Sequence, residues 1–346
     1  MIKELKPGMN TGFIAEEPRE MDTIAGDGHI AAADLLSDGD WTPFLPSREL
    51  QGAVYFDSMA CVSFSALNCL EIVGAMLIAS GMVPEATIYA LREGGWLGED
   101  GKLNFSDRYT AKMSGTRRTG NTMNAVWDSI LNDGVLPEGD WSFPREQRQP
   151  VFDWDDYYKT IPQELINKAH RFPREFFDLD REWLITGGRA TIAQFRTWLR
   201  RGPIQVAGPI CAPWSVGPVP ACGGPVTHAT TIYKADSVLR DFDHYDPIQK
   251  ALAADYPLPY AIRPIMFAKN GLRASPIDLA FAKRLAGQLL LDVDDRGALW
   301  YVTPTGKRAK VGNTPDEIEA FLQGIRDGRI EHTGINSANI AKIPTV

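Results

Sequence analysis

Apolar residues recur at helical spacing over 63–79 (Phe64, Leu67, Ile72, Ala75, Met76, Ala79), which predicts one long, largely buried helix starting close to Cys61. A second helical pattern over 122–132 (Met123, Val126, Trp127, Ile130) is stopped by Asp133-Gly134 in the manner of a glycine C-cap. Beyond the aromatic, charged stretch 152–183, residues 192–198 are helical. After Gly202-Pro203 short apolar runs alternate with turns, so 204–207, 229–233 and 238–242 are strand candidates. A helical first half followed by a strand-rich second half is an α+β arrangement. Residues 1–45, rich in Gly, Pro, Asp and Glu with little periodicity, predict an extended arm that wraps a neighbour. Another small unit begins near residue 283, with strands at 288–293 and 299–302 joined by a turn at 294–297, then a helix over 315–325. Trp300 and Tyr301, adjacent on a strand, face opposite sides.

Composition narrows the function. With 44% hydrophobic and 23% charged positions over 346 residues, disorder is excluded as the dominant state. A net charge of −8, from 36 Lys+Arg against 44 Asp+Glu, without a basic stripe argues against nucleic acid as a partner. The longest apolar run, 72–82, is interrupted by Gly74 and Gly81 and is too short to cross a bilayer, so no membrane insertion is expected. The N-terminus has no basic-then-apolar leader, so the expectation is synthesis in a cytoplasm without a signal peptide. No CxxC pair suggests zinc among the four cysteines, and no metal or organic cofactor is expected. Cys211 and Cys222 flank a Pro/Gly-rich stretch and are read as free thiols in a loop, closing a disulfide only in an oxidising environment.

Cys61, in Asp57-Ser-Met-Ala-Cys61-Val-Ser-Phe-Ser, sits where a loop enters the long helix, a place where orphan N–H groups and the helix dipole favour a thiolate. The competing view is a small buried hydrophobe. His228 stands at the start of a strand after a Gly/Pro-rich loop, a rigid seat for a general base. Asp243, fifteen positions on, lies on what looks like the next strand of a hairpin, where a carboxylate fixes an imidazole tautomer. Asp246 is the alternative carboxylate. His228 can also be a satisfied core histidine, and either acid a turn former ahead of Pro247.

These residues resemble papain-like cysteine peptidases, in order along about two hundred positions. Gln51-Gly52 with Cys61-Val-Ser-Phe-Ser-Ala is similar to that family's Gln-Gly…Cys-Trp-Ala-Phe-Ser segment. Asn104-Phe-Ser-Asp-Arg-Tyr109 occupies the place of its Leu-Ser-Glu-Gln turn, and Thr119-Gly-Asn-Thr-Met that of its Gly-Gly substrate wall. Gly202-Pro-Ile-Gln-Val-Ala resembles its Gly-Pro-Val-Ser-Val-Ala strand, His228-Ala matches its His-Ala, and Asp243-His-Tyr falls where it has Asn-Ser-Trp. The resemblance implies a two-lobed fold with a helical left lobe and a β-sheet right lobe. It implies Cys61 as nucleophile, His228 as base and acid, Asp243 as orienting group and Gln51 as oxyanion donor. Gly120, Asn121, Met59 and Thr227 would line the substrate cleft. The sequence departs from the family pattern at Val62, in place of Trp, and in the ten positions separating Gln51 from Cys61. Asp57 places a carboxylate just upstream of the sulfur, where it opposes the thiolate.

The implied organisation is an N-terminal arm (1–45), a peptidase domain (46–265), a linker (266–284) and a small α/β C-terminal module (285–346). That module is similar to one at the ends of bacterial surface proteins, read either as an attachment or interaction module or as a structural cap. The classical family disulfides and a full inhibitory propeptide have no counterpart. The Asp-Ser-Met-Ala-Cys-Val-Ser-Phe-Ser signature resembles compact forms encoded by tailed bacteriophages. The expected function is therefore peptide-bond hydrolysis, with a peptide or protein substrate, as a virion or tail component acting on a cell envelope. Virion or envelope partners would be held through the arm and the module. The competing expectation is a structural virion or surface-assembly protein with little turnover.

Overall fold

The computed structural model describes residues 9–20, 22–25, 34–47, 50–53, 56–142, 153–211 and 218–269, and the strands at 289–292, 299–302, 308–310 and 333–335. The chain divides into two compact units, 1–32 with 36–271, and 33–35 with 272–346.

The first unit opens with a two-stranded ribbon, β1 (Gly52–Ala53) and β2 (Phe56–Asp57), that leads into α1 (Cys61–Ala79). Apolar on all faces, α1 is buried along nearly its whole length inside the protein, which is how a helix long and apolar enough for a membrane serves as a core helix here. Helices α2 (Glu85–Glu93), α3 (Asp107–Met113), α4 (Met123–Asp133), α5 (Trp154–Tyr157) and α6 (Gln163–Ala169) follow. The α4 boundaries match the sequence signals: the Thr122 hydroxyl caps its start and Gly134 follows its end at φ +76°. Next come β3 (Phe177–Thr186), α7 (Ile192–Leu199), β4 (Ile204–Gly208), β5 (His228–Ala235), β6 (Leu239–Phe242), β7 (Gln249–Leu252) and β8 (Tyr260–Ala268).

These six strands form one antiparallel sheet in the order β3-β8-β4-β5-β6-β7, and α1 packs on β4, β5 and β8. The result is the expected α+β arrangement, helices first and antiparallel sheet second. Strands β3, β7 and β8 lie outside the strand candidates. β3 hides behind its charges: Arg181 and Glu182 are buried in it, with Glu182 paired to Arg263 of β8. β8 runs to Ala268, past the boundary expected at 265.

Gln205 of β4 stitches the layers where the site lies. Its amide donates to the Val62 carbonyl (2.9 Å) and Ser65 Oγ (2.8 Å) in the first turn of α1, and its oxygen accepts from Trp127 Nε1 of α4 at 2.7 Å. The start of α1 is thereby clamped to the sheet by fully satisfied buried polar groups.

In the second unit β9 (Leu289–Asp292), β10 (Leu299–Val302), β11 (Arg308–Lys310) and β12 (Thr333–Ile335) form a sheet in the order β11-β10-β9-β12. β12 is parallel to β9 and the other pairs are antiparallel. The first two strands fall on the expected segments; the helix expected over 315–325 and the turn at 294–297 lie outside the described residues.

Candidate active site

Cys61 is the first residue of α1, His228 the first of β5, and Asp243 directly follows β6. The helix start, held against β4 and β5, brings sulfur and imidazole to the same end of the sheet. His228 Nε2 lies 2.9 Å from Asp243 Oδ1. Asp246, at the cis bond to Pro247, is not that partner, because the turn after β6 aims Asp243 inward and leaves Asp246 half-buried.

Asp243 is fully buried and fully engaged. Oδ1 also accepts the His244 N–H at 2.6 Å, and Oδ2 meets the Lys250 ammonium from β7. Burial opposes its charge, but His228, Lys250 and His244 outweigh burial and hold the carboxyl far below the usual carboxylate range. His228, Asp243 and His244 bring ligand atoms within 4.8 Å of one another, a set able to hold a metal ion. The Lys250 ammonium already sits against Asp243 Oδ2, so the cluster has its counter-cation in place and reads as a charge network.

The N-terminal arm, expected to wrap a neighbour, lies instead in this cleft. Thr11 is wholly buried, with its hydroxyl 2.6 Å from His228 Nδ1 and 2.9 Å from the Thr227 carbonyl, and it also hydrogen-bonds the Cys61 sulfur. The arm thus puts one hydroxyl against both His228 Nδ1 and the Cys61 sulfur. A hydroxyl has one hydrogen. With it on the Thr227 carbonyl or on the sulfur, Nδ1–H donates to Thr11; with it on Nδ1, that nitrogen accepts and Nε2–H donates to Asp243.

Gln51, fully buried, donates its Nε2 hydrogens to the Thr11 carbonyl (2.7 Å) and to Asp57 Oδ1 (2.8 Å). Its backbone N–H reaches the His244 carbonyl at 3.1 Å, tying the glutamine to the Asp243 loop. Between Gln51 and Cys61 the β1–β2 ribbon folds back on itself, pairing Gly52 with Asp57. Asp57 organises this corner: Oδ1 also accepts the Met59 N–H at 3.0 Å, and Oδ2 accepts the Tyr245 hydroxyl at 2.6 Å. Met59, at φ +57°, turns the chain into α1.

The arm continues through the cleft as an added strand. Asn121 N–H donates to the Gly12 carbonyl (2.7 Å) and Ile14 N–H to the Asn121 carbonyl (2.8 Å), while the Thr227 carbonyl accepts from Thr11 N–H (3.2 Å) and Phe13 N–H (3.4 Å). Gly12 and Gly120 make this approach possible. Gly12 has φ +113° and a Cβ there would lie 1.9 Å from the Met59 carbonyl oxygen; one on Gly120 would lie 2.0 Å from the Gly12 oxygen. Gly120, Asn121, Met59 and Thr227, four expected cleft residues, all touch the arm.

Farther on, the arm is latched by charge. Arg19 grips Asp128 of α4 through two bonds of 2.6 and 2.9 Å, and buried Arg181 of β3 bridges Asp22 (3.1 Å), Asn124 (3.0 Å) and Asp128 (3.0 Å). Ile24 then pairs with Trp183 along the edge of β3.

Cys61 has no solvent exposure, and burial, reinforced by Asp57 and Asp243, pushes its thiol up to about 12 against the Ala229 N–H and Thr11 bonds that favour a thiolate. In this closed state the sulfur is a neutral thiol. Cys69, mid-helix, is pushed up to about 12 by burial alone, relieved only by its Thr231 contact. Cys211 and Cys222, expected as free thiols, are bonded to each other: the end of β4 and the loop returning to β5 bring their Cα atoms to 5.3 Å.

Sequence reading missed Thr11 and Lys250. Asn10-Thr11-Gly12 carried a signal, a glycine preceded by two small hydrogen-bonding residues, while Lys250 sits in a short strand whose pairing decides what it meets.

No protein-family profile matches this chain, and no curated protein does. Similar solved structures include xylellain, a cysteine protease from Xylella fastidiosa (15% identity, covering 78% of this chain and 98% of that one, TM-score 0.45). Others are procathepsin B S9 from Trypanosoma congolense (11%, 75% and 86%, 0.48) and digestive procathepsin L 3 of Tenebrio molitor larval midgut (13%, 74% and 76%, 0.44).

Proposed function

We propose that this chain is a papain-like cysteine peptidase held closed by its own N-terminal arm. The observation that carries this reading is that the cleft already receives an extended peptide whose Thr11 carbonyl sits on the Gln51 amide, beside Cys61 and His228. With the arm withdrawn, His228 Nδ1 takes the Cys61 proton, while Asp243 holds the ring through Nε2. The thiolate attacks a substrate carbonyl carbon, and the oxyanion is received by the Gln51 amide and the Cys61 backbone N–H at the start of α1. The C–N bond breaks as His228 returns its proton to the leaving amine, and water, deprotonated by His228, releases the acid and restores the thiol.

A second reading, a structural component of a virion or surface assembly with the same fold, is favoured by the complete burial of Cys61 and its raised pKa. The placement in a phage tail acting on a bacterial envelope rests on the sequence signature around Cys61. One experiment separates enzyme from scaffold. In full-length protein with the arm loosened by Gly12→Ala, a thiol-reactive peptide probe labels Cys61 over Cys69, and labelling falls at least about a hundredfold in His228→Ala if the peptidase reading holds. Labelling indifferent to His228 supports the scaffold.

A further inference from the structure

The carboxylate that orients His228 is itself held by a buried cation. The Lys250 side chain is 1% exposed and that of Asp243 0%. β7 pairs with β6 so that Lys250 lies opposite Asp241, and the turn closed by Asp243 N–H on the Ile248 carbonyl (2.8 Å) swings Asp243 over the same position. The two carboxylate oxygens divide their partners: Oδ1 takes the imidazole and the His244 N–H, Oδ2 takes the ammonium. A buried ammonium is costly to desolvate, and a side chain needed only to fill space at this strand position would be apolar.

We propose that Lys250 is a positioning residue for His228, whose ammonium cancels most of the Asp243 charge so that the imidazole is oriented by an acceptor of near-zero net charge. This rests on the reading of His228 as the proton carrier. A lone buried carboxylate against Nε2 would favour the imidazolium and make the ring slow to return its proton, whereas a base that is also the acid must change state near working pH. The other groups facing this cluster fit the same balance. Asp241 is pushed up by burial and by Asp243, against Lys250, which favours its protonated form and leaves the ammonium to Asp243. The Tyr245 phenol, well above its ordinary value through burial and Asp57, stays neutral. The His244 ring stands 5.0 Å from that of His228, and Thr11, Cys61 and Asp57 complete the surroundings.

The test is the imidazole titration of His228 by NMR in full-length protein carrying labelled histidine, five in all, with the signal assigned by its loss in His228→Ala. Lys250→Met raises the midpoint by about one pH unit or more, and Asp243→Asn, which strands the ammonium, lowers it by a similar amount. Combining Asp243→Asn with Lys250→Met restores it to within about 0.3 unit, because an amide presents the same oxygen with no charge, and Lys250→Arg leaves it near wild type. The double variant buries no net charge, so its return from the Asp243→Asn position carries the test even where Lys250→Met does not fold. A Lys250→Met midpoint equal to wild type, or a double variant that stays displaced, overturns the proposal. Peptide hydrolysis is assayed separately. The titration pattern without hydrolysis rejects the peptidase reading and keeps the role of Lys250, and hydrolysis without the pattern does the reverse.

Discussion

The reading of the arm as the seal on Cys61 stands or falls with Gly12. At φ +113°, alanine costs about 1–2 kcal/mol in backbone strain alone. The new methyl would also sit 1.9 Å from the Met59 carbonyl oxygen and 2.4 Å from its carbon, backbone atoms that no rotamer change moves. The arm must lift locally, giving up the Asn121–Gly12, Ile14–Asn121 and Gln51–Thr11 bonds. At about 1 kcal/mol net each, the three bonds come to about 3 kcal/mol, roughly a hundredfold in the population with an open cleft. Iodoacetamide labelling followed by peptide mapping measures this directly. Cys61 is expected to react about a hundredfold faster in Gly12→Ala than in wild type, with buried Cys69 as the internal reference. Gly101→Ala is the control, since it pays a comparable strain at φ +76° with nothing within 4 Å. Wild-type Cys61 kinetics in a folded Gly12→Ala protein refute the reasoning. So does a parallel rise in Cys69 labelling, which assigns the change to global opening.

Thr11→Val keeps the shape but removes the hydroxyl between His228 and the Thr227 carbonyl; docking should weaken by about 1–2 kcal/mol, read as about tenfold faster Cys61 labelling. Arg181→Met takes away the buried cation bridging Asp22 and Asp128, leaving Arg19 as their partner; amide exchange at 22–25 should quicken at least about tenfold, and unchanged exchange counts against the latch. Burial raises Asp22, but Arg19 and Arg181 prevail and hold it, like Asp128, below the ordinary carboxylate range. Lowered folded values mean that these two stabilise docking fully above about pH 4 and lose that contribution as pH falls through them. Glu16, raised by burial, runs the opposite way and favours docking when protonated. Reaction of Cys61 with a dipyridyl disulfide, taken relative to Gly12→Ala to cancel the pH dependence of the thiol itself, should therefore not rise between pH 7 and 5 and should rise only below about 4, and a rise starting at pH 6 contradicts the assignment. Gln205→Met strands the Val62 carbonyl, Ser65 and Trp127 partners and should cost about 2–4 kcal/mol by denaturant unfolding.

The elements legible in the sequence are those whose signal is local. Periodicity in α1, the helical pattern and Gly134 stop of α4, and the short apolar runs of β4 and β5 depend on neighbours within a few positions, so they read correctly within a residue or two. β3 did not read as a strand because its charges are paid for by Arg263 and Asp22, distant in the chain. Cys61, His228 and Asp243 were picked out by residue type and local context, and Gly120 by the family resemblance.

What the sequence by itself determined is the helix that carries the sulfur, the strand that carries the imidazole and the glycines that permit a close backbone approach. Only the tertiary structure decided that Thr11 meets His228 across 217 positions, that Lys250 and not solvent faces Asp243, and that Cys211 reaches Cys222. Local propensity acts through bonds and turns a few residues long. These contacts exist because packing α1 onto the sheet closes loops whose ends carry no mark of one another until the core has formed.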